Sequence, residues 1–134
     1  MINIGEAAKR SGIAAKTIRY YESIGLVEAA GRSQSGYRLY SRSEVEVLRF
    51  INRARSLGFS VQQVSDLLAL WQDRNRASSQ VKELAEAQVA SIDQKVSELL
   101  TMRKTLIQLM EQCQGDSRPD CPILEDLASP VTAS

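Results

Sequence analysis

The chain has 134 residues, 43% of them hydrophobic and 25% charged, so it is long enough for one or two small domains. It contains no histidine, which excludes the usual catalytic triads and every imidazole metal ligand. No window approaches the roughly 18 apolar residues of a membrane span and no signal-peptide pattern is present, so we expect a cytoplasmic protein without a membrane partner.

The charge is distributed unevenly, although the net charge is only +1. Residues 1–58 hold ten Lys/Arg against five Asp/Glu, a net +5, whereas residues 59–134 hold seven against eleven, a net −4. A basic half is typical of contact with a polyanion, and it is also common on an ordinary solvated surface. The charge therefore favours nucleic acid binding only together with other signals.

Two short helices are predicted at the N-terminus. Asn3 and Glu6 form a capping-box pattern at the start of the first helix, which ends at Gly12. The second helix is predicted over residues 15–23 and directs three apolar side chains toward the core: Ile18, Tyr21 and Ile24. Two such helices joined by a tight turn predict a helix-turn-helix, in which the second helix meets DNA.

A hairpin is predicted after the second helix. Two strand-like runs, Leu26-Val27 and residues 37–40, flank a turn-rich loop at residues 31–36. A basic hairpin in this position is the wing of a winged helix-turn-helix, and we use that name for residues 31–40.

Two further helices follow the wing, and each begins with a capping box. Ser41 and Glu44 open the first, and Ser60 and Gln63 open the second. Both carry apolar residues at helical spacing: Val45, Leu48, Ile51 and Ala54, and then Val61, Val64, Leu67, Leu68 and Trp71. Residues 73–76 are polar and predict a hinge.

One unusually long helix is predicted from Ser78 to Gln112. Apolar residues recur there at alternating steps of four and three, interrupted at Arg103, which is the heptad seam of a coiled coil. Such a helix is roughly 50 Å long, longer than a domain of this size, so its own chain cannot cover much of the seam. We therefore expect a homodimer with these residues in its interface: Val89, Ile92, Val96, Leu99 and Leu106.

Both cysteines lie just after the long helix. Cys113 and Cys121 bracket a loop, and beyond it we predict a short helix containing Ile123, Leu124 and Leu127 and then a frayed tail. A structural disulfide is disfavoured in a reducing compartment, so these thiols are candidates for metal binding or redox chemistry.

Five stretches together resemble the DNA-binding domain of the MerR family of bacterial transcription regulators: residues 4–8, 17–22, 25–26, 36–40 and 55–59. The long helix and the cysteine loop resemble the copper-efflux regulator branch of that family, which senses monovalent coinage metals. One departure is Ala14, where relatives usually place Ser or Thr as the cap of the recognition helix.

The resemblance covers essentially the whole chain and implies a mainly α fold in three parts. Residues 1–72 would form a winged helix-turn-helix DNA-binding domain. Residues 73–112 would form a hinge and a long antiparallel dimerisation coiled-coil helix, and residues 113–134 a metal-binding loop, a short helix and a tail.

The same resemblance implies the DNA-binding residues and their partners. A dimer would bind a pseudo-palindromic promoter and distort an over-long spacer so that RNA polymerase engages, switching on metal-efflux or detoxification genes. Tyr21 and Tyr40 are expected to pack in the core, whereas Arg32 and Arg38 have no evident packing role. The implied contacts are Lys16, Arg19 and Tyr20 of the recognition helix, Arg32, Tyr37 and Arg38 of the wing, and Arg55 of the following helix.

Cys113 and Cys121 are the predicted metal ligands. Thiolates are soft ligands that select Cu(I), and two of them without imidazole permit linear two-coordination. Zinc prefers four ligands, which this loop supplies only if Asp116, Asp120 or another subunit contributes. Divalent-metal relatives place a third cysteine where this chain has Ser78, so the resemblance implies selectivity for Cu(I), Ag(I) or Au(I).

Two other functions compete with a metal sensor. A thiol/disulfide redox regulator on the same scaffold would use the two cysteines as a reversible disulfide. An enzyme is disfavoured, because a thiol oxidoreductase normally needs a Cys-x-x-Cys motif and a cysteine hydrolase needs histidine.

Overall fold

The computed structural model describes residues 1–130, so the end of the predicted tail, residues 131–134, lies outside the described residues. The chain divides into two compact units, Met1–Ala85 and a second that begins at Glu86. Within residues 1–130, no helix has the length and apolar character needed to cross a lipid bilayer. The division into three functional parts stays a prediction.

Helix α1 (Ile4–Ser11) is the first helix of the predicted pair. At its start, Asn3 Oδ1 accepts a hydrogen bond from the Glu6 backbone N–H at 2.9 Å. The Glu6 carboxylate accepts a hydrogen bond from Arg10 instead of returning to the cap, so only half of the predicted capping box forms. Gly12 ends the helix with a φ of 79°, a left-handed conformation that favours glycine.

Helix α2 (Ala15–Ser23) is the second helix, with the predicted bounds. Its cap residue Ala14 makes no side-chain hydrogen bond, as expected from the departure noted above. Ile18 and Tyr21 are buried, as predicted. Ile24 is 45% exposed because it lies just beyond the last helical residue, so its predicted core position is wrong.

Three short antiparallel strands form one sheet, in the order β1-β3-β2: β1 (Ile2–Asn3), β2 (Gly31–Arg32) and β3 (Arg38–Tyr40). Strands β2 and β3 form the predicted hairpin, with Gly31 opposite Leu39 and Arg32 opposite Arg38. Strand β1 pairs with the other edge of β3, with Ile2 opposite Tyr40.

The predicted strand at Leu26-Val27 is wrong. Val27 is buried in the core outside any strand, and the partner of β3 comes instead from Gly31 and Arg32, within the stretch read as a turn. Strand β1 was not predicted, because two residues are too few to show the alternation that marks a strand.

Helices α3 (Arg42–Ser56) and α4 (Val61–Gln72) complete the first unit, and α3 packs against both α1 and α4. Both predicted capping boxes are present. In the first of them the Ser41 backbone N–H donates to Glu44 Oε2 at 2.9 Å. Six of the predicted apolar side chains are buried: Val45, Leu48, Ile51, Ala54, Val64 and Leu68.

Helix α5 (Ser78–Gln112) runs without a break between the predicted bounds. Helix α6 (Pro122–Ala128) is the predicted short helix, and two of its apolar side chains, Leu124 and Leu127, are exposed. The five predicted seam residues are between 42% and 60% exposed in the single chain: Val89, Ile92, Val96, Leu99 and Leu106. An apolar stripe with this exposure is typical of a surface that a second chain covers.

Candidate functional site

Helix α2 presents three of the predicted DNA-binding side chains to solvent. Lys16, Arg19 and Tyr20 are all exposed, whereas Ile18 and Tyr21 on the same helix are buried in the core. Positions three and four residues apart are neighbours on a helix, so the three exposed side chains share one face. That face carries two cations and an aromatic ring, which suits both phosphate and base contacts.

A concave surface of about 550 Å³ lies between the start of α1, α2 and the wing. It brings together Arg19, Tyr37 and Arg38, and Tyr37 is 72% exposed. Lys16, Tyr20 and Arg32 do not line this concavity. Two guanidinium groups beside a hollow favour an anionic ligand, such as a phosphate of nucleic acid.

Both wing arginines have partners within the first unit, so the expectation that they lack a packing role is wrong. Arg32 Nη1 donates to the Gly36 carbonyl oxygen at 3.0 Å. Arg38 Nε donates to Glu22 Oε2 on α2. A guanidinium has five N–H donors, so each arginine keeps further donors for a ligand while one bond fixes its position.

Glu22 also binds Tyr40, which is almost fully buried. The Tyr40 hydroxyl donates to Glu22 Oε1. Burial raises the pKa of Tyr40 well above its usual value, and its hydrogen bond to Glu22 raises it further. Tyr40 therefore keeps its proton and remains a donor, and its predicted core position, like that of Tyr21, is confirmed.

Sequence reasoning assigned no role to Glu22. The available signal was that a single acidic residue follows Lys16 and Arg19 within the otherwise basic α2. Its partners lie 16 and 18 residues further along the chain, and no local pattern reveals such a pairing.

Arg55 lies at the end of α3 and is exposed. Its Nη1 donates to the Phe59 carbonyl oxygen at 2.6 Å, across the turn that joins α3 to α4. Arg55 therefore stabilises this turn, and its predicted contact with DNA stays a prediction.

Cys113 and Cys121 lie in the second unit with their Sγ atoms 3.9 Å apart, and both are free thiols. A metal–thiolate bond is about 2.3 Å long, so two sulfurs bound to one ion lie at most about 4.6 Å apart. The observed separation is within that reach. In the part of the chain that the structure describes, no cluster of three or more Cys, Asp, Glu or His side chains is placed to hold a metal.

Cys121 is the cap residue of α6, and this position lowers the pKa of its thiol. The backbone N–H of Leu124 contributes most to the shift, and the backbone N–H of Ile123 and the Cys113 side chain add to it. These donors stabilise the thiolate, which is the form that binds metal and reacts with electrophiles. The thiol pair therefore includes one member prepared to act as a ligand.

Asp116 lies in the same loop and is engaged by Arg118. Arg118 Nη2 lies 2.8 Å from Asp116 Oδ2, and this bond holds the pKa of the Asp116 carboxyl below its usual value. A zinc ion would have to compete with this ion pair for the carboxylate.

We expect Cys121 to react with iodoacetamide at a lower pH than an ordinary cysteine, because only the thiolate is nucleophilic. The measurement is peptide-resolved mass spectrometry after brief alkylation across a pH series. The same thiol in guanidinium-unfolded protein is the control, since unfolding removes the backbone donors of α6. Equal midpoints in the folded and unfolded protein would contradict the structure of this loop.

Ser78 is the first residue of α5 and is exposed. Its hydroxyl is a poorer ligand for a soft metal than a thiolate would be. Its effect on selectivity and the interface role of the α5 seam both require a second chain, so they stay predictions.

Comparison with known proteins identifies the family of the chain. The model for MerR HTH family regulatory proteins matches residues 2–71, and the model described as MerR, DNA binding, matches residues 45–109. The chain is 52% identical to heavy metal-dependent transcription regulator 2 of Rhizobium meliloti, over 96% of this chain and 87% of that protein. It is 39% identical to the regulator CueR of Salmonella typhimurium, over 95% and 92% of the two chains.

A solved structure shows the same fold. A transcription regulator of Ralstonia metallidurans, crystallised in complex with lead(II), superposes with a TM-score of 0.81 at 31% identity, over 96% of this chain and 100% of that one. Its agreement extends over both compact units described above. These matches and the winged helix-turn-helix geometry together show that the chain belongs to the MerR family of DNA-binding transcription regulators.

Proposed function

We propose that this protein is a metal-responsive transcription activator whose effector is Cu(I), Ag(I) or Au(I). A dimer binds a pseudo-palindromic promoter, and metal capture by Cys113 and Cys121 switches on metal-efflux or detoxification genes. The observation that carries the proposal is the free thiol pair, 3.9 Å apart, on a chain of a DNA-binding family. MerR-family proteins are DNA-binding regulators, so we propose no enzymatic activity.

Two lines of support bear on the identity of the effector. The names of the relatives and the lead-bound structure favour a heavy metal as effector. The ligand set narrows the choice, because two thiolates without imidazole or a clustered carboxylate suit a soft two-coordinate ion better than zinc.

The position of the two thiols suggests how binding changes the protein. Cys113 follows the last residue of α5, and Cys121 precedes the first residue of α6. An ion held by both thiolates would therefore fasten the end of one helix to the start of the next. If the ion binds more tightly to the conformation in which the two thiols are close together, it shifts the protein toward that conformation.

A dimer carries two copies of the proposed DNA-binding surface, which is formed by α2 and the wing. The α5 seam would hold two such modules at a fixed separation, which sets the spacing of the operator half-sites. Distorting an over-long promoter spacer costs a few kcal/mol, which a tightly bound metal can supply through differential affinity. RNA polymerase would then engage the realigned promoter elements.

The direct test is X-ray absorption spectroscopy on anaerobic protein loaded with Cu(I) or with Zn(II). We expect one Cu(I) per chain with two sulfur ligands, and Zn(II) bound weakly with oxygen ligands added. Failure to bind Cu(I), or a tight four-coordinate zinc site, would refute the proposed effector.

A redox regulator is the second candidate, and the closeness of the thiols favours it too. Oxidation by a peroxide would join the two sulfurs, with two protons and two electrons passing to hydrogen peroxide to give two waters. Anaerobic titration that follows Cu(I) binding, free thiol count and promoter output separates the candidates. A metal sensor responds while both thiols remain reduced, whereas a redox sensor responds only as the thiol count falls.

Arg38→Ala should weaken operator binding and lower its salt dependence, because one phosphate contact from the wing is lost. We expect the slope of log K against log salt to decrease in magnitude by about 1. Fluorescence anisotropy at several salt concentrations measures both quantities. Arg74→Ala, which removes an exposed charge from the polar hinge, is the control, and an unaltered slope for Arg38→Ala would remove the wing from the interface.

A further inference from the structure

The carboxylate of Glu22 connects two elements that are far apart in sequence. It lies on α2, and each of its oxygens accepts one hydrogen bond from β3: Oε2 from Arg38 Nε and Oε1 from the Tyr40 hydroxyl. The Glu22 side chain is 13% exposed and that of Arg38 is 34% exposed, so solvent screens this ion pair only partly. Hydrogen bonds to charged groups in such surroundings are stronger than those between neutral groups.

The backbone of the wing is fixed by short strands, since β3 pairs with both β2 and β1, and by the buried Tyr40. Strand β2 has two residues and β3 has three, so the sheet supplies only a short ladder of backbone bonds. Tyr37 is largely exposed, and Arg32 bonds within the wing to Gly36. Among the hydrogen bonds of the wing described here, those to Glu22 are the side-chain bonds that reach α2.

We infer that Glu22 is a positioning residue for DNA binding, which holds Arg38 and Tyr40 so that the recognition helix and the wing meet the duplex as one preformed surface. This inference rests on the roles proposed above for α2 and Arg38. Arg19 and Arg38 both line the concavity although they come from different elements, and the bond from Arg38 to Glu22 links those two elements. Preorganisation lowers the entropy cost of ordering such groups at binding.

Simple electrostatics makes the opposite prediction, which gives the test its power. Glu22 is an anion beside a surface proposed to bind a polyanion, so removing its charge should tighten binding by reducing repulsion. A positioning role predicts weaker binding, because the Arg38 guanidinium is then no longer held in place. The sign of the change decides between the two.

The primary variant is Glu22→Gln, which keeps the shape of the side chain and removes the charge. Operator affinity and its salt slope are measured by anisotropy, with folding checked by circular dichroism. We expect about tenfold weaker binding and a salt slope close to that of Arg38→Ala. Glu28→Gln removes an exposed carboxylate nearby and is the matched control, which should bind as tightly as the unmodified protein or more tightly. Glu22→Gln binding as tightly as that control overturns the inference.

A double variant shows whether Glu22 acts through Arg38. In the Arg38→Ala background, Glu22→Gln should weaken binding by less than about twofold, because its main partner is already absent. A full tenfold loss in that background means that Glu22 acts by another route, and overturns the inference. Glu22→Asp covers the case in which the glutamine variant does not fold: it keeps the charge, shortens the reach, and should also weaken binding, whereas unchanged affinity would contradict a positioning role.

The failures are distinguishable from one another. If Arg38→Ala itself leaves operator binding unchanged, both the proposed wing contact and the proposed role of Glu22 are refuted. If Arg38→Ala weakens binding and Glu22→Gln does not, the wing contact stands and only the inference about Glu22 is wrong.

Discussion

Replacing either Cys113 or Cys121 with serine should abolish metal-dependent activation while operator affinity stays within about twofold. A hydroxyl is a hard, protonated donor at neutral pH and does not replace a thiolate toward a soft ion. Losing a direct ligand should cost more than the roughly 10–100-fold in metal affinity that follows loss of a residue behind a ligand. The residues of α2 and the wing that we propose to contact DNA belong to the other compact unit, so we expect their fold not to depend on the thiols.

Two measurements on the same preparations check this expectation. Transcription in vitro, with and without anaerobic Cu(I), reports activation, and anisotropy on metal-free protein reports operator affinity. Ser117→Ala changes a residue between the two cysteines without removing a thiol, and should respond to metal like the unmodified protein. A serine variant that still activates with Cu(I) would show that the effector binds elsewhere.

Metal binding by the thiol pair should also weaken as pH falls. Metal must displace a proton from a protonated thiol, so affinity declines as pH drops below the thiol pKa. The backbone donors of α6 lower the pKa of Cys121, so this ligand remains deprotonated further into the acidic range than an ordinary cysteine. The lowered pKa thus extends the pH range over which the site competes for metal.

The helices were predictable because their signals are local. Helix α5, which has 35 residues, matches its predicted bounds, since a heptad pattern sustained over nearly four repeats is a strong periodic signal. Each capping box, at Ser41 and at Ser60, is defined by two residues within a stretch of four, and both capping boxes form. Ile24 was misplaced because periodicity alone does not show where a helix stops.

The sheet and the charged tie at Glu22 were not predictable, because both depend on distant residues. Gly31 and Arg32 form a strand only because Leu39 and Arg38 lie opposite them, and nothing in a glycine-containing loop marks that pairing. The short loop between the cysteines allows the two thiols to approach each other, but the lowered pKa of Cys121 depends on the direction of the α6 backbone amides. Neither the strand pairing nor the hydrogen bonds to Glu22 follow from residues that are neighbours in sequence.

Charging the α5 seam with Val96→Glu should convert the dimer to a monomer and weaken operator binding by two or more orders of magnitude. Val96 is 48% exposed in the single chain and lies in the middle of the predicted interface. A glutamate there would have to be buried against apolar side chains without a cationic partner, and that cost exceeds the gain from the remaining seam contacts. Losing the dimer also removes the benefit of binding two half-sites at once, which reaches about 10²–10⁴-fold.

Sedimentation velocity measures the oligomeric state, and anisotropy on full and half operators measures the loss of bivalent binding. Ser97→Glu is the matched control, because it adds the same charge one residue away and off the seam. Glutamate has a higher helix propensity than valine, so circular dichroism should show α5 intact in both variants and exclude unfolding as the cause. A Val96→Glu protein that still sediments as a dimer would show that the α5 stripe serves some purpose other than self-association. The two chains that bind the operator would then associate through another surface.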